Sequence, residues 1–171
     1  MKVLIVSDSH GLVNELEELK KRHKKEVDLF LHCGDSELTA NEVAIEGYKS
    51  VRGNCDYEEK YPNELVEEAT TAKIFLTHGH LYGVKSSVNN LLYRAKEVGA
   101  NIVCFGHSHY LGMELIDGIL FINPGSLRLP RGRIEKTYVI LTISPDKYKT
   151  EVYDYVHGKI ANLTTEFSRE E

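Results

Sequence analysis

Cys104-Phe105-Gly106-His107-Ser108-His109 is the stretch from which the rest of the chain can be read. Apolar Ile102 to Phe105 has the length of a buried strand, and it stops at a glycine followed by two histidines that straddle a serine. The same design occurs four more times. Val3 to Val6 runs into Asp8-Ser9-His10-Gly11, Asp28 to Cys33 into Gly34-Asp35, Tyr48 to Val51 into Gly53-Asn54-Cys55-Asp56, and Lys73 to Leu76 into Thr77-His78-Gly79-His80. Polar loops at the ends of several strands can converge on one place although they are far apart in sequence.

The segments between these strands read as helices. Leu12, Leu16 and Leu19 recur at helical spacing, with Glu17–Lys21 and Glu18–Arg22 at i,i+4 on the other side. Strand, helix, strand suggests a right-handed parallel crossover, which sets Asp35 near Asp8. A short helix is expected through Leu38 to Ile45. A longer one is marked by Val84, Val88, Leu91, Leu92, Ala95 and Val98 and stopped by Gly99. After Phe105 the pattern changes to successive strands: Met113 to Ile116 and Ile119 to Ile122 flank Asp117-Gly118, a two-residue hairpin signal, and Tyr138 to Ile143 and Glu151 to Val156 follow. The expected fold is α/β: two packed mixed β-sheets flanked by helices in α/β/β/α layers. Residues 1–163 should form a single domain and 164–171 a polar, frayed tail.

Composition narrows the function. The 171 residues are 42% hydrophobic and 27% charged, and they contain no run approaching the ~18 apolar residues of a membrane helix. Val3 to Val6 is too short for a signal peptide, so a cytoplasmic location is expected. Cys33, Cys55 and Cys104 are few, odd in number and without CxxC spacing, which disfavours a disulfide framework. A formal charge of −5 argues against long-range attraction to nucleic acid and favours a small substrate.

Taken singly, each motif has an ordinary explanation. Asp-x-His pairs and Gly-Asp dipeptides are common in turns, and asparagine often fills a left-handed turn position. His78 and His80 flank a glycine that permits a tight turn with one side chain inward, and His78 is the favoured ligand. His23 and His157 are expected to face solvent, and His32 to be a satisfied strand residue. Taken together, five of the eight histidines fall in the motifs, beside the candidate ligands Asp8, Asp35 and Asn54.

In order and loop content the five motifs resemble the calcineurin-like metallophosphoesterases, and within them the small YfcE-type phosphodiesterases. The resemblance covers Met1 to about Arg133 and includes Asn123-Pro124-Gly125-Ser126. It implies that Asp8, His10 and His109 hold one divalent metal, Asn54, His78 and His107 a second, and that Asp35 bridges them, with Asp35, Asn54 and His78 central to catalysis. A carboxylate suits the bridge because its two oxygens can span cations ~3.5–4 Å apart. Manganese is the expected ion, with nickel, iron, cobalt and zinc as alternatives. The implied reaction is hydrolysis of a small phosphodiester by a hydroxide activated at the dinuclear centre, and the resemblance is compatible with a homodimer.

Cys55 departs from the wider superfamily, where a histidine able to assist the leaving group often follows the asparagine; here its role is that or simple packing. His80 and Arg131 are candidates for contacts to substrate or behind the ligands, although Arg128, Arg131 and Arg133 also read as a solvated basic turn. Alternatives are a phosphomonoesterase of the same fold, a non-catalytic scaffold like the retromer subunit that shares it, and a nuclease. The last is disfavoured by the acidic balance, and the scaffold by a full set of competent ligands.

Overall fold

The structure, a computed structural model, describes residues 1–169. Strand β1 (Lys2–Val6) explains the layering. All of Val3, Leu4, Ile5 and Val6 are buried because the strand is covered on both faces. Val3 and Ile5 point into a core shared with Ile74, Leu76, Ile102, Leu120 and Ile122 of the opposite sheet, whereas Leu4 and Val6 pack against Leu16 and Leu19 of helix α1 (Asn14–His23).

The first sheet is built from β1, β2 (Leu29–His32), β3 (Tyr48–Ser50), β9 (Thr137–Ile143), β10 (Lys147–Asp154), β11 (Gly158–Lys159) and β12 (Thr165–Ser168). Its order is β11-β10-β9-β1-β2-β3, with β12 also paired to β10. The second sheet, in the order β4-β5-β6-β8-β7, contains β4 (Glu64–Ala69), β5 (Ala72–Thr77), β6 (Ile102–Cys104), β7 (Leu111–Ile116) and β8 (Ile119–Pro124). Helix α2 (Asn89–Val98) covers its outer face through Leu91, Leu92 and Ala95, which meet Phe75, Val103 and Phe121. These are the expected two mixed sheets with helices outside. β1, β2 and β3 run parallel, as do β5, β6 and β8, so their carboxyl ends share an edge of each sheet.

Four expectations are corrected. Leu38 to Ile45 forms separate turns rather than a helix: Glu42 N–H reaches Thr39 O and Ile45 N–H reaches Glu42 O, but Gly47 at φ +86° ends the segment, and such short turns do not repay helix nucleation. Helix α2 starts five residues later than its apolar spacing suggests, because Ser87 Oγ accepts the Asn89 N–H and ends the preceding turn. His23 is buried, held by Glu26 at 2.7 Å and the Tyr138 hydroxyl at 2.8 Å, because its side of α1 meets an aromatic cluster. Finally, much of the anticipated polar tail is ordered, since Thr165–Ser168 pairs with Lys147–Thr150. Its last two residues lie outside the described part.

Strand β4 was not anticipated. Its sequence, Glu-Leu-Val-Glu-Glu-Ala, lies at a sheet edge where only half-burial is required, so it carries no continuous apolar run. The Asp117-Gly118 turn has the expected geometry, with φ +50° and +75°.

Candidate metal centre

Adjacent parallel strands β1 and β2 deliver the first two loops, which then zip together. Asp8 N–H donates to Gly34 O, His10 N–H to Asp35 O and Gly11 N–H to Ser36 O, at 2.8–3.0 Å. His32 ties the same pair from below. Its Nδ1 accepts the Gly34 N–H, which leaves Nε2–H to donate to Ser9 Oγ at 2.8 Å. From the second sheet, β5 delivers His78 and β6 delivers His107, joined by Gly106 N–H to His78 O. Asn123 at the end of β8 donates to Gly106 O and Ser108 Oγ, and Ser126 Oγ donates to Asp8 O, so the late Asn-Pro-Gly-Ser stretch braces both sides.

The two sheets meet at Asp8. Its Oδ2 accepts Ser7 O–H at 2.6 Å and His107 N–H at 3.1 Å, while Oδ1 is buried without an aligned hydrogen-bond partner. Three imidazole Nε2 atoms surround that oxygen: His109 at 3.1 Å and His10 and His78 at 3.9 Å each. His78 Nε2 also lies 3.3 Å from Asp35 Oδ2 and 3.2 Å from Asn54 Oδ1. The far nitrogen of each ring is already engaged: His78 Nδ1 donates to Cys33 O, His109 Nδ1 to Leu129 O, and His10 Nδ1 contacts Glu37 at 2.6 Å. With Nδ1 occupied, each Nε2 turns its lone pair inward, the orientation seen in metal-binding histidines. His10 Nε2 and His109 Nε2 face each other at 3.3 Å.

The electrostatics point the same way. Burial would raise the Asp8 carboxyl, but His109 and the charge of His78 outweigh it and lower its pKa. Asp35 is likewise lowered, against burial, mainly by His78 and the Cys55 N–H. His78 and His109 are raised by the same carboxylates, so without a cation a proton is drawn to the place one would take. His107 behaves oppositely: burial and neighbouring His78 push it down to about 4. The clustered oxygen and nitrogen lone pairs, with one buried oxygen unpartnered, fit divalent cations.

Asp8, His10 and His109 form one cluster of candidate ligands, and Asp8, Asp35 and His78 another. Asn54 joins the second through His78. His107 is near it, its ring centroid 5.1 Å from that of His78. His80 packs 5.3 Å from His78 and 6.1 Å from His107, and its Nδ1 is buried without a partner. Cys55 falls within ligand reach of His10 and Asp35, and burial with the Asp35 charge pushes its thiol up to about 11. Arg131 is not brought into either cluster. Its N–H donates to His109 O, and its side chain is exposed and lines a cavity of about 230 Å³ with Tyr110, Leu111, Gly132 and Arg133. Arg128 instead donates to His10 O. A second cavity, of about 330 Å³, borders Asn54 and is lined by Arg52, Asn63, His80 and Leu81.

Two residues escaped the sequence reading. Glu37 orients His10, and Asp56 accepts N–H groups from Asp35, Glu37 and Gly53 at 2.7–2.8 Å, fixing the loop that carries Asp35. A signal for Glu37 was available: Asp35-x-Glu37 repeats the two-apart spacing of Asp8-x-His10 and His107-x-His109, and all six residues have positive φ.

The model for the calcineurin-like phosphoesterase superfamily domain matches residues 1–146. A probable metallophosphoesterase, YsnB of Bacillus subtilis, is 50% identical over 95% of this chain and 96% of its own. The phosphodiesterase MJ0936 of Methanocaldococcus jannaschii is 30% identical over 73% of this chain and 83% of its own. A crystal structure of a predicted phosphoesterase from Streptococcus pneumoniae superposes with a TM-score of 0.93 at 38% identity, covering 98% of this chain and 97% of the other. With the family's domain spanning most of the chain and an ordered cluster of competent ligands where its strands end, the protein belongs to the calcineurin-like phosphoesterase superfamily and is a metal-dependent phosphoesterase.

Proposed function

We propose that the protein hydrolyses small phosphodiesters at a dinuclear centre, with Asp8, His10 and His109 holding one cation, Asn54, His78 and His107 the other, and Asp35 between them. The observation that carries this reading is the convergence of three imidazole nitrogens on the unpartnered Asp8 Oδ1. Two bound cations would neutralise the phosphate and lower the pKa of a water. The chain's own residues do the positioning. Glu37, Cys33 O and Leu129 O hold the three rings, and Asp35, fixed through its N–H by Asp56, presents Oδ2 to one side while Oδ1 accepts Cys55 N–H at 2.8 Å. The cavity beside Asn54 has room for one ester substituent, and its His80, Arg52 and Asn63 offer polar contacts to that group. Manganese is the expected ion in a donor set rich in oxygen and nitrogen.

The test is metal analysis after reconstitution, combined with assays on an aryl phosphodiester and the matching monoester. Two ions per chain, activity lost on chelation, and preference for the diester are expected. Asp35→Ala should lower the rate by ~10²-fold or more, the scale of a misplaced reacting group. One ion per chain, or full activity in Asp35→Ala, would count decisively against the dinuclear arrangement.

A further inference from the structure

We propose that Cys55 is itself a metal ligand, its sulfur completing the half of the centre that holds His10 and biasing that half toward softer cations such as zinc, cobalt or cadmium. The inference rests on the dinuclear reading but goes beyond it, because the family resemblance gives this position no ligand role.

The sulfur of Cys55, a ring nitrogen of His10 and a carboxylate oxygen of Asp35 lie within 4.8 Å of one another. Zinc takes nitrogen at ~2.0–2.1 Å and sulfur at ~2.3 Å, so one ion among these atoms needs only a side-chain adjustment to be reached by all three. The loop is built to hold the sulfur there. Cys55 N–H donates to Asp35 Oδ1 at 2.8 Å, which fastens the cysteine backbone to the carboxylate, and Asp56 clamps Gly53 and Asp35 together. Gly53 has no room for a side chain, since a Cβ there would come within 2.7 Å of Asp35 Cγ, so the loop lies flush against the site. Asn54 directs Oδ1 at His78 and Nδ2 at Cys55 Sγ, 3.4 Å away, presenting a donor to the sulfur as an acceptor.

Asp8 Oδ1, fully buried and without an aligned hydrogen bond, lies 3.9 Å from His10 Nε2, and both His10 and Asp35 also belong to clusters with Asp8, so the group that holds Cys55 shares two of its members with the rest of the centre. The other two cysteines cannot contribute, because Cys33 and Cys104 are completely buried in the core between the sheets. Coordination exchanges the S–H bond for a sulfur–metal bond, the proton passes to solvent, and no oxidation state changes. A thiolate among nitrogen and oxygen donors shifts preference from manganese toward zinc or cobalt.

The experiment uses the full chain stripped of metal by chelation and titrated with cobalt(II), comparing wild type with Cys55→Ser and Cys55→Ala. Absorbance is followed in the near ultraviolet, where thiolate-to-cobalt charge transfer appears, and in the visible, where bound cobalt is counted. Zinc and manganese affinities are measured by competition with a chromophoric chelator. The expected result is a charge-transfer band in wild type that both variants lack. Zinc affinity should fall at least about tenfold in the variants, the lower end of what even an outer partner of a ligand contributes, with manganese affinity unchanged. Two bound cobalt ions without the band, or equal zinc affinity in all three proteins, would overturn the role of Cys55 and leave the dinuclear reading standing. One cobalt with the band would instead refute the dinuclear reading and keep the thiolate contact. No cobalt binding would refute both.

Discussion

The candidate ligand loops and the β7–β8 hairpin both place non-glycine residues at positive φ, but for different reasons. At the hairpin, Asp117 at φ +50° and Gly118 at φ +75° satisfy a local requirement of the two-residue turn, and a Cβ on Gly118 would meet nothing within 4 Å. Six of the eight non-glycine residues with positive φ among those described lie in the candidate ligand loops: Asp8, His10, Asp35, Glu37, His107 and His109. Each such residue costs ~1–2 kcal/mol. At His10, followed by Gly11 at φ +81° with Leu12 N–H donating to Ser9 O, and at His107, where Ser108 N–H donates to Gly106 O, a local turn shares the demand, whereas Asp8, Asp35, Glu37 and His109 take it up as the loops cross the centre. The gain is orientation: Asp8 and His10, two left-handed residues two apart, both turn toward the centre, and in the matching pair Asp35 does so while Glu37 holds the outer nitrogen of His10. Glycines divide along the same line. Gly118 serves the turn's dihedral angles, whereas Gly106 leaves space, since a Cβ there would lie 2.5 Å from Asp8 Oδ2.

The largest effect that would test this contrast is expected from Gly106→Ala. The added methyl collides with Asp8 and Ser7, which displaces the carboxylate at the meeting point of the sheets, so phosphodiesterase activity should fall by ~10²-fold or more. If activity stays near wild type, Gly106 is not there for space.

Acid sensitivity should also concentrate at the loops. Burial lowers the His32 pKa to about 4 from an ordinary 6.5, so below pH 6.5 the unfolded chain takes up the proton first. The contribution of His32 is complete above pH 6.5 and is lost as pH falls toward 4, a change on the order of 3 kcal/mol. Denaturant unfolding of metal-free protein between pH 7 and 4 should show this decline, flattened in His32→Gln. Identical pH profiles would remove His32 as the bracket between the first two loops.

Glu37→Gln sharpens the comparison at a single side chain. It keeps the shape but weakens the hold on His10 Nδ1, so metal affinity should fall by ~10–100-fold. Glu26→Gln makes the matching change at the His23 pair, remote from the ligands, and metal affinity should not move. Calorimetric titration of both variants tests the difference, and equal affinities would show that His10 is positioned without Glu37.

The smallest effect belongs to the hairpin. Gly118→Ala has free space and should cost only the left-handed conformation, ~1–2 kcal/mol of stability, with activity per folded molecule unchanged. A loss of activity beyond the loss of folded protein would mean that the hairpin and the ligand loops are coupled.

Periodicity and motif order made most of the architecture legible. Val3 to Val6 could be read as a strand buried on both faces because every position is apolar, and Asp117-Gly118 as a hairpin because both residues tolerate positive φ. The same reasoning missed β4, whose edge position leaves half its surface in water, and it extended α2 into Val84 and Val88, which are buried and half-buried, respectively, ahead of the helix at helix-like spacing. It also sent His23 outward, since nothing local shows that Tyr138, distant in sequence, meets it.

By itself, then, the sequence determined the alternation of strands and helices, the hairpin, the family resemblance and the residue types able to bind metal. These follow from local patterns of polarity and from motifs of a few residues. Only the tertiary structure decided which ring nitrogens face inward, that Asp8 Oδ1 is left unpartnered, that Glu37 and Asp56 support the loops, and that Cys55 reaches His10 and Asp35. Each depends on distances between segments far apart in the chain, and those distances are fixed by how the two sheets pack.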